Sequence, residues 1–187
     1  QLVYPGSGDK SRVVFKFSDG TQMDFNDQRL FAELRLRRDW RDLPFIRGLG
    51  PEPSDISADE FSRMLSPKKT KIKPLLMDQT FISGIGNLYA AEALFSSRID
   101  PQRSAASLTG NEKKVLFTAI QTVLRDAIRH GGSSVDNYVR LSGKPGSYVT
   151  YHKVYGRQGK ACLVCKAPVK RISLGGRGTY YCPQCQR

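Results

Sequence analysis

The stretch GKACLVCKAPVKRISLGGRGTYYCPQCQR, residues 159–187, decides how the end of the chain folds. It holds all four cysteines, Cys162, Cys165, Cys182 and Cys185, as two C-x2-C pairs separated by sixteen residues. Each pair suits a tight turn, and two such turns offer four thiolates to one tetrahedral ion at a metal–sulfur distance of about 2.3 Å. Between the pairs, residues 169–173 and 179–181 are β-prone, and Gly175, Gly176 and Gly178 reverse the chain, so a two-stranded hairpin is expected. So small a hairpin buries little apolar surface, and metal binding supplies its folding free energy. The expectation is one structural Zn2+ with no open coordination position for catalysis. Two disulfides or an iron–sulfur cluster are the competing uses of four cysteines. Gln1–Gly6 carries no basic segment leading into an apolar one, so no signal peptide is expected, which weighs against the disulfides. Arg177 stands at the tip between glycines, with Lys170, Arg171 and Arg187 near it in sequence, and reads as a phosphate contact.

Working upstream, Gly84-Ile85-Gly86-Asn87 interrupts a helical pattern and precedes the short apolar helix expected over residues 87–95. Backbone N–H groups at such a helix start form a site for a phosphate, and Asn87 is suited to cap the helix or to bind the same group. Thr109-x-x-Glu112 is a capping box ahead of the longest periodic run, in which Leu116, Ile120, Val123 and Ala127 form a buried stripe ended by Gly131-Gly132. A second box, Ser57-x-x-Glu60, opens a short helix through Leu65, and Pro67 closes it. Residues 43–56, rich in Pro and Gly, read as a linker. Toward the N-terminus, residues 12–17 and 21–25 flank Asp19-Gly20 as a hairpin, and Leu34–Leu36 is a third candidate strand. Residues 148–155 (YVTYHKVY) are strand-like. His130 and His152 have no ligand spacing and receive no role.

Charge narrows the class of partner. The 187 residues carry 30 Lys+Arg against 17 Asp+Glu, a net charge of +13. Residues 1–60 hold 9 basic and 11 acidic side chains (9 − 11 = −2), whereas residues 61–187 hold 21 and 6 (21 − 6 = +15). A field of one sign repels itself until a polyanion neutralises it, and nucleic acid does so with release of counterions. Lys68, Lys69, Lys71 and Lys73 form one basic cluster within it, which a solvated charge run would also explain. No apolar run reaches the length of a membrane span.

Ile72-Lys73-Pro74-Leu75-Leu76-Met77-Asp78-Gln79, the segment Gly84–Phe95, Gly143-Lys144-Pro145-Gly146, Val154-Tyr155-Gly156-Arg157 and Cys182-Pro183-Gln184-Cys185-Gln186, in that order, resemble bacterial formamidopyrimidine-DNA glycosylases. The resemblance extends over residues 10–187. It implies an α+β fold: the end of an N-terminal antiparallel β-sandwich (1–50), a helix–two-turn–helix DNA-binding domain with a lesion loop (51–153), and a C-terminal zinc β-hairpin finger (154–187). It implies base-excision repair of oxidised purines, 8-oxoguanine and formamidopyrimidines, by a glycosylase with AP lyase activity acting on double-stranded DNA. The implied setting is the bacterial cytoplasm, at the nucleoid, with a monomeric protein and no membrane partner.

Residue by residue, the resemblance implies that Asn87 and Arg177 hold the phosphate at the damaged nucleotide, with Gly86 and Arg157 among the DNA contacts and Lys73 near the lesion pocket. Arg29 faces the orphaned base and Phe31 wedges beside it, an apolar ring offsetting lost stacking while the damaged base is flipped out. The loop 135–148 covers the flipped base. Two departures stand out: Tyr4 falls where the family has a methionine wedge, and Ser133-Ser134 where it usually has two threonines. The family's nucleophile is an N-terminal proline, forming a Schiff base with an adjacent glutamate as acid/base. The chain starts at Gln1, so these 187 residues alone are expected to be inactive. The alternative reading is a non-catalytic duplex-DNA-binding fragment or paralogue. A third is a zinc ribbon working through protein contacts.

Overall fold

The computed structural model describes residues 1–8, 11–27, 30–135 and 138–187. They form two units, Gln1–Trp40 with Asp126–Tyr151, and Arg41–Arg125 with His152–Arg187.

In the first unit, β1 (Leu2–Val3), β2 (Val13–Lys16) and β3 (Gln22–Phe25) make an antiparallel sheet in the order β1-β3-β2. The expected hairpin sets its register, with Val13 opposite Phe25 and Lys16 opposite Gln22. Gly20 takes the left-handed conformation the turn demands (φ 83°), and the Asp19 carboxylate accepts the Thr21 N–H and hydroxyl at 2.9 and 2.7 Å. The candidate strand at Leu34–Leu36 is not formed: no described strand pairs with it, and Leu36 is fully exposed. The strand-like run at 148–155 is instead a 3-10 turn over Tyr148–Tyr151. Residues three apart share a face on such a turn and point to opposite faces on a strand. Here Tyr148 stacks on Tyr151 at 6.1 Å, and the His130 ring lies 4.2 Å from Tyr151, so the aromatic contact selects the turn.

The second unit is helical with a hairpin at its end. Its helices are α1 (Pro44–Arg47), α2 (Ala58–Leu65), α3 (Ile72–Leu76), α4 (Asn87–Ser96) and α5 (Gly110–Arg129), the last residues of α5 belonging to the first unit. Phe61, Leu65, Ile72, Leu94, Leu116 and Ile120 are among the side chains of one apolar core. The stripe read in the sequence at Leu116, Ile120, Val123 and Ala127 is buried as expected. The Pro/Gly-rich segment does not behave as a free linker. Gly50 donates to the Gln79 carbonyl at 2.8 Å, and a Cβ there would stand 2.5 Å from the Phe81 carbonyl oxygen, so only glycine fits. The hairpin comprises β4 (Lys170–Leu174) and β5 (Arg177–Tyr181), reversed at Gly175-Gly176 with φ of 58° and 71°.

Both capping boxes form. Ser57 accepts the Glu60 N–H at 3.2 Å while Glu60 accepts the Ser57 N–H at 2.7 Å, and Thr109 and Glu112 repeat the pattern at 3.2 and 2.7 Å. Glu112 also pairs with Arg103, which reaches on to the Arg187 carbonyl at 3.0 Å. The Arg103 guanidinium, with the Thr109 amide and hydroxyl, holds the Glu112 carboxyl down at about 2. A depressed carboxyl stabilises the fold fully above its unfolded pKa near 4.5 and loses that contribution as pH falls toward 2. Thermal melts of the wild type should therefore fall over that range. Glu112→Gln should cost about 1–2 kcal/mol at neutral pH and flatten the dependence; an unchanged pH profile would remove Glu112 as its source.

Candidate nucleic-acid interface and metal centre

The four cysteine sulfurs all lie within 4.8 Å of one another. Cys162 and Cys185 are 3.9 Å apart and Cys165 and Cys182 3.4 Å, close to the roughly 3.8 Å edge of a tetrahedron with 2.3 Å metal–sulfur arms. The first knuckle is shaped by the backbone: Cys162 N–H donates to the Ala167 carbonyl and Lys166 N–H to the Cys162 carbonyl, with Lys166 at φ 67°. At the second, the Gln186 side chain accepts the Cys182 N–H at 2.8 Å and donates to the Ile99 carbonyl at 2.9 Å. Four thiols, clustered at this spacing and in part buried, fit Zn2+. All four positions are filled by protein, so the ion is structural.

The segment leading into the cysteine module is joined to α4 by a residue that the sequence reading did not single out. Glu92 is 1% exposed, and its carboxylate accepts the N–H groups of Lys153, Val154 and Tyr155 at 2.9, 3.0 and 2.8 Å. Its signal was available, since an acid inside the apolar run NLYAAEALF is rarely buried without partners. His152 sits beside it, and burial pushes its pKa down despite the Glu92 charge. Ala91 and Phe95 of α4 pack with Val154, Cys162, Val169 and Cys182 in a second apolar cluster.

Lys73, Asn87 and Arg177 come together at the opposite end of α4. Gly86 precedes the helix in extended conformation with open space around it, while the Gln79 amide holds the turn by accepting the Gly84 N–H and donating to the Ile85 carbonyl. Asn87 does not cap the helix. Its amide nitrogen donates to the Gly178 carbonyl of β5 at 3.1 Å, and its oxygen accepts from Lys73 Nζ at 2.5 Å. One side chain thus joins α3, α4 and the hairpin. Arg177 is exposed at the start of β5, next to that carbonyl, and the turn before it abuts α3, a Cβ on Gly175 falling 3.4 Å from the Pro74 ring. Lys73 is fully buried, and burial, with the Arg177 charge second, lowers its pKa to about 8. Two cations are thus held together, and an anion between them would relieve both effects.

The other expected residues are placed as follows. Arg157 is half-buried, and its guanidinium donates to the Ala161 carbonyl at 3.1 Å, bracing the approach to the first knuckle. In the first unit Phe31 is 82% exposed, just after Leu30 in left-handed conformation (φ 58°), and the next N–H, of Ala32, donates to the Asp27 carboxylate at 2.7 Å. Tyr4 is 37% exposed, edge-on to Phe17. Arg29 lies outside the described residues.

Residues 48–139 match the family described as the formamidopyrimidine-DNA glycosylase H2TH domain, and residues 159–187 match the zinc finger found in FPG and IleRS. The formamidopyrimidine-DNA glycosylase of Solibacter usitatus is 40% identical over 181 residues, covering 97% of this chain and 67% of the relative. That of Pelotomaculum thermopropionicum is 40% identical, covering all of this chain and 71% of the relative. The chain spans about two thirds of the length of the relatives it matches, down to 65% for that of Desulforamulus reducens. Among solved structures, the MutM (Fpg) protein of Thermus thermophilus superposes with a TM-score of 0.88 at 39% identity, over 97% of this chain and 70% of that one. The Lactococcus lactis Fpg in complex with DNA containing an abasic site superposes with a TM-score of 0.87 at 33% identity, over all of this chain and 70% of that one. None of the described helices is long and apolar enough to cross a membrane.

Because the cysteine cluster shares its apolar packing with α4, stripping zinc with a chelator should lower the melting temperature of the helical unit by more than about 5 °C, with recovery on adding Zn2+. A melt indifferent to chelation would mean that the hairpin holds its shape without metal.

Proposed function

The chain belongs to the formamidopyrimidine-DNA glycosylase family, and on that premise we propose that it forms the DNA-gripping part of a base-excision repair glycosylase with AP lyase activity toward oxidised purines. The observation that carries this reading is the convergence of Lys73, Asn87 and Arg177 from three separate elements. A backbone phosphate entering there would accept from the Arg177 guanidinium and find the Lys73 ammonium behind it, with Asn87 keeping the two elements in register. The net charge of +15 on residues 61–187 supplies the wider attraction for duplex DNA. Gly86 leaves room for the sugar–phosphate backbone to approach the start of α4, and Arg157 adds charge beside the finger.

In this reading, residues 51–153 and 154–187 clamp the strand bearing the lesion. Residues 1–50 carry the groups that enter the duplex: Phe31 as the wedge, Arg29 toward the orphaned base, and Tyr4 as the third wedge residue, where the family has methionine. Extruding a base costs a few kcal/mol of stacking, and an exposed apolar ring offsets part of it. The loop 135–148 encloses the extruded base. The covalent step is the family's Schiff-base chemistry at an N-terminal proline, proposed for the whole protein at the bacterial chromosome. These residues contribute grip, wedge and enclosure to it.

The phosphate assignment is tested with Arg177→Ala. Binding to undamaged and abasic duplex should weaken alike by about tenfold, with the salt dependence reduced by about one counterion; retained affinity would take Arg177 out of the clamp. Phe31→Ala should leave affinity for undamaged duplex almost unchanged and shorten the residence time on lesion-containing duplex. Equal losses on both duplexes would count against the wedge.

A further inference from the structure

Within the first unit, the segment that carries Tyr4 and the loop after α5 are joined through the backbone. The Tyr4 N–H donates to the Leu141 carbonyl at 2.6 Å, and a Cβ on Gly143 would lie 3.8 Å from Val3. Leu141 is itself held in a closed turn, with Arg140 N–H donating to the Lys144 carbonyl and Gly143 N–H to the Arg140 carbonyl, both at 2.9 Å. The Arg140 guanidinium donates to the His130 carbonyl just past α5 at 3.0 Å and lies so close to Gly131 that a Cβ there would overlap it. Across the base of the loop, the Ser134 hydroxyl donates to the Tyr138 carbonyl at 2.6 Å and accepts the Gly146 N–H at 2.8 Å. The strand side is equally fixed. Buried Asp24 accepts the Ser7 and Gly8 N–H groups at 2.9 Å each, and the Tyr4 hydroxyl donates to Thr21 at 3.3 Å.

We propose that the hydrogen bond from Tyr4 N–H to the Leu141 carbonyl makes Tyr4 and the 138–147 loop one mechanical element, so that the base enclosed by the loop sets how the Tyr4 ring meets the duplex. The proposal rests on the lesion-binding reading above. A hydrogen bond weakens steeply with stretch and bend, so a displaced Leu141 carbonyl either drags the Tyr4 main chain or releases it. The loop transmits the displacement because Ser134 and Arg140 cross-brace it. The ring follows its own Cα, since an aromatic side chain turns about only two torsions and occupies discrete rotamers. Tyr4 is thereby a specificity-determining residue whose placement depends on the loop.

The test uses the zinc-loaded chain, with Tyr4→Ala, Gly143→Ala, the double variant and Tyr4→Phe. Gly143 has φ 75°, so alanine strains the turn that presents Leu141. In the free protein, hydrogen exchange at the Tyr4 amide should rise about tenfold in Gly143→Ala as that hydrogen bond opens more often. Preference for duplex carrying a tetrahydrofuran abasic analogue over undamaged duplex should fall about fivefold in each single alanine variant, and by no more in the double variant, because misplacing an absent ring costs nothing. Tyr4→Phe should keep the preference. Unchanged exchange at Tyr4, or losses that multiply to about 25-fold in the double variant, would overturn the link. An unmodified chain with no preference for the abasic duplex would instead overturn the lesion reading, with the exchange at Tyr4 still deciding whether the link exists.

Discussion

The Glu92 carboxylate, buried among apolar side chains and ligated by three consecutive backbone N–H groups, fixes where the segment leading into the cysteine module lies relative to α4. A carboxylate so enclosed is tolerable only when its lone pairs are satisfied, so the segment 153–155 has little freedom to adopt another path. The cluster of Lys73, Asn87 and Arg177 is built on that placement. The Gly178 carbonyl reaches Asn87, and Arg177 next to it acts on Lys73, because the hairpin is held against the same helix that carries Asn87. Metal, apolar cluster and carboxylate therefore act on one joint, and the cationic cluster at the other end of α4 is its consequence.

The cluster itself is an arrangement held in readiness. Burial first, and the Arg177 guanidinium second, disfavour the charged form of Lys73, so the arrangement is costly before any ligand arrives. An anion placed there recovers the stabilisation at the moment of binding. On the proposed reading, this favours phosphate over neutral ligands without any base contact, which suits a grip that does not depend on sequence.

Much of the architecture was legible in the sequence because it depends on local chemistry. The C-x2-C pairs dictate knuckles, Asp19-Gly20 dictates a hairpin turn, and Ser57/Glu60 and Thr109/Glu112 dictate helix starts, each from groups within a few residues of one another. The misreadings all concern partners outside the segment misread. Leu34–Leu36 has the composition of a strand with no described neighbour to pair with, YVTYHKVY is turned by an aromatic contact with His130, and the segment around Gly50 packs on Phe81 instead of hanging free. In the last two cases the deciding partner is distant in sequence, and in the first the missing element is a pairing strand.

The candidate site divides along the same line. Zinc ligands follow from spacing, because metal–thiolate geometry leaves almost no alternative for two C-x2-C pairs. Lys73, Asn87 and Arg177 were each nameable, but their meeting was not, since 91 positions separate Asn87 from Gly178 and only folding brings that carbonyl to the amide. Asn87 reads in sequence as a helix cap or a phosphate ligand, and in the structure its side chain bridges a strand carbonyl and a lysine ammonium. Glu92 passed unnoticed for the converse reason: its partners are main-chain N–H groups, which carry no side-chain identity for a sequence to display. The sequence by itself determined most of the elements, the metal and the sign of the partner's charge, since these rest on local geometry and summed charge. Tertiary structure alone decided which polar groups face one another, because that depends on how the elements pack.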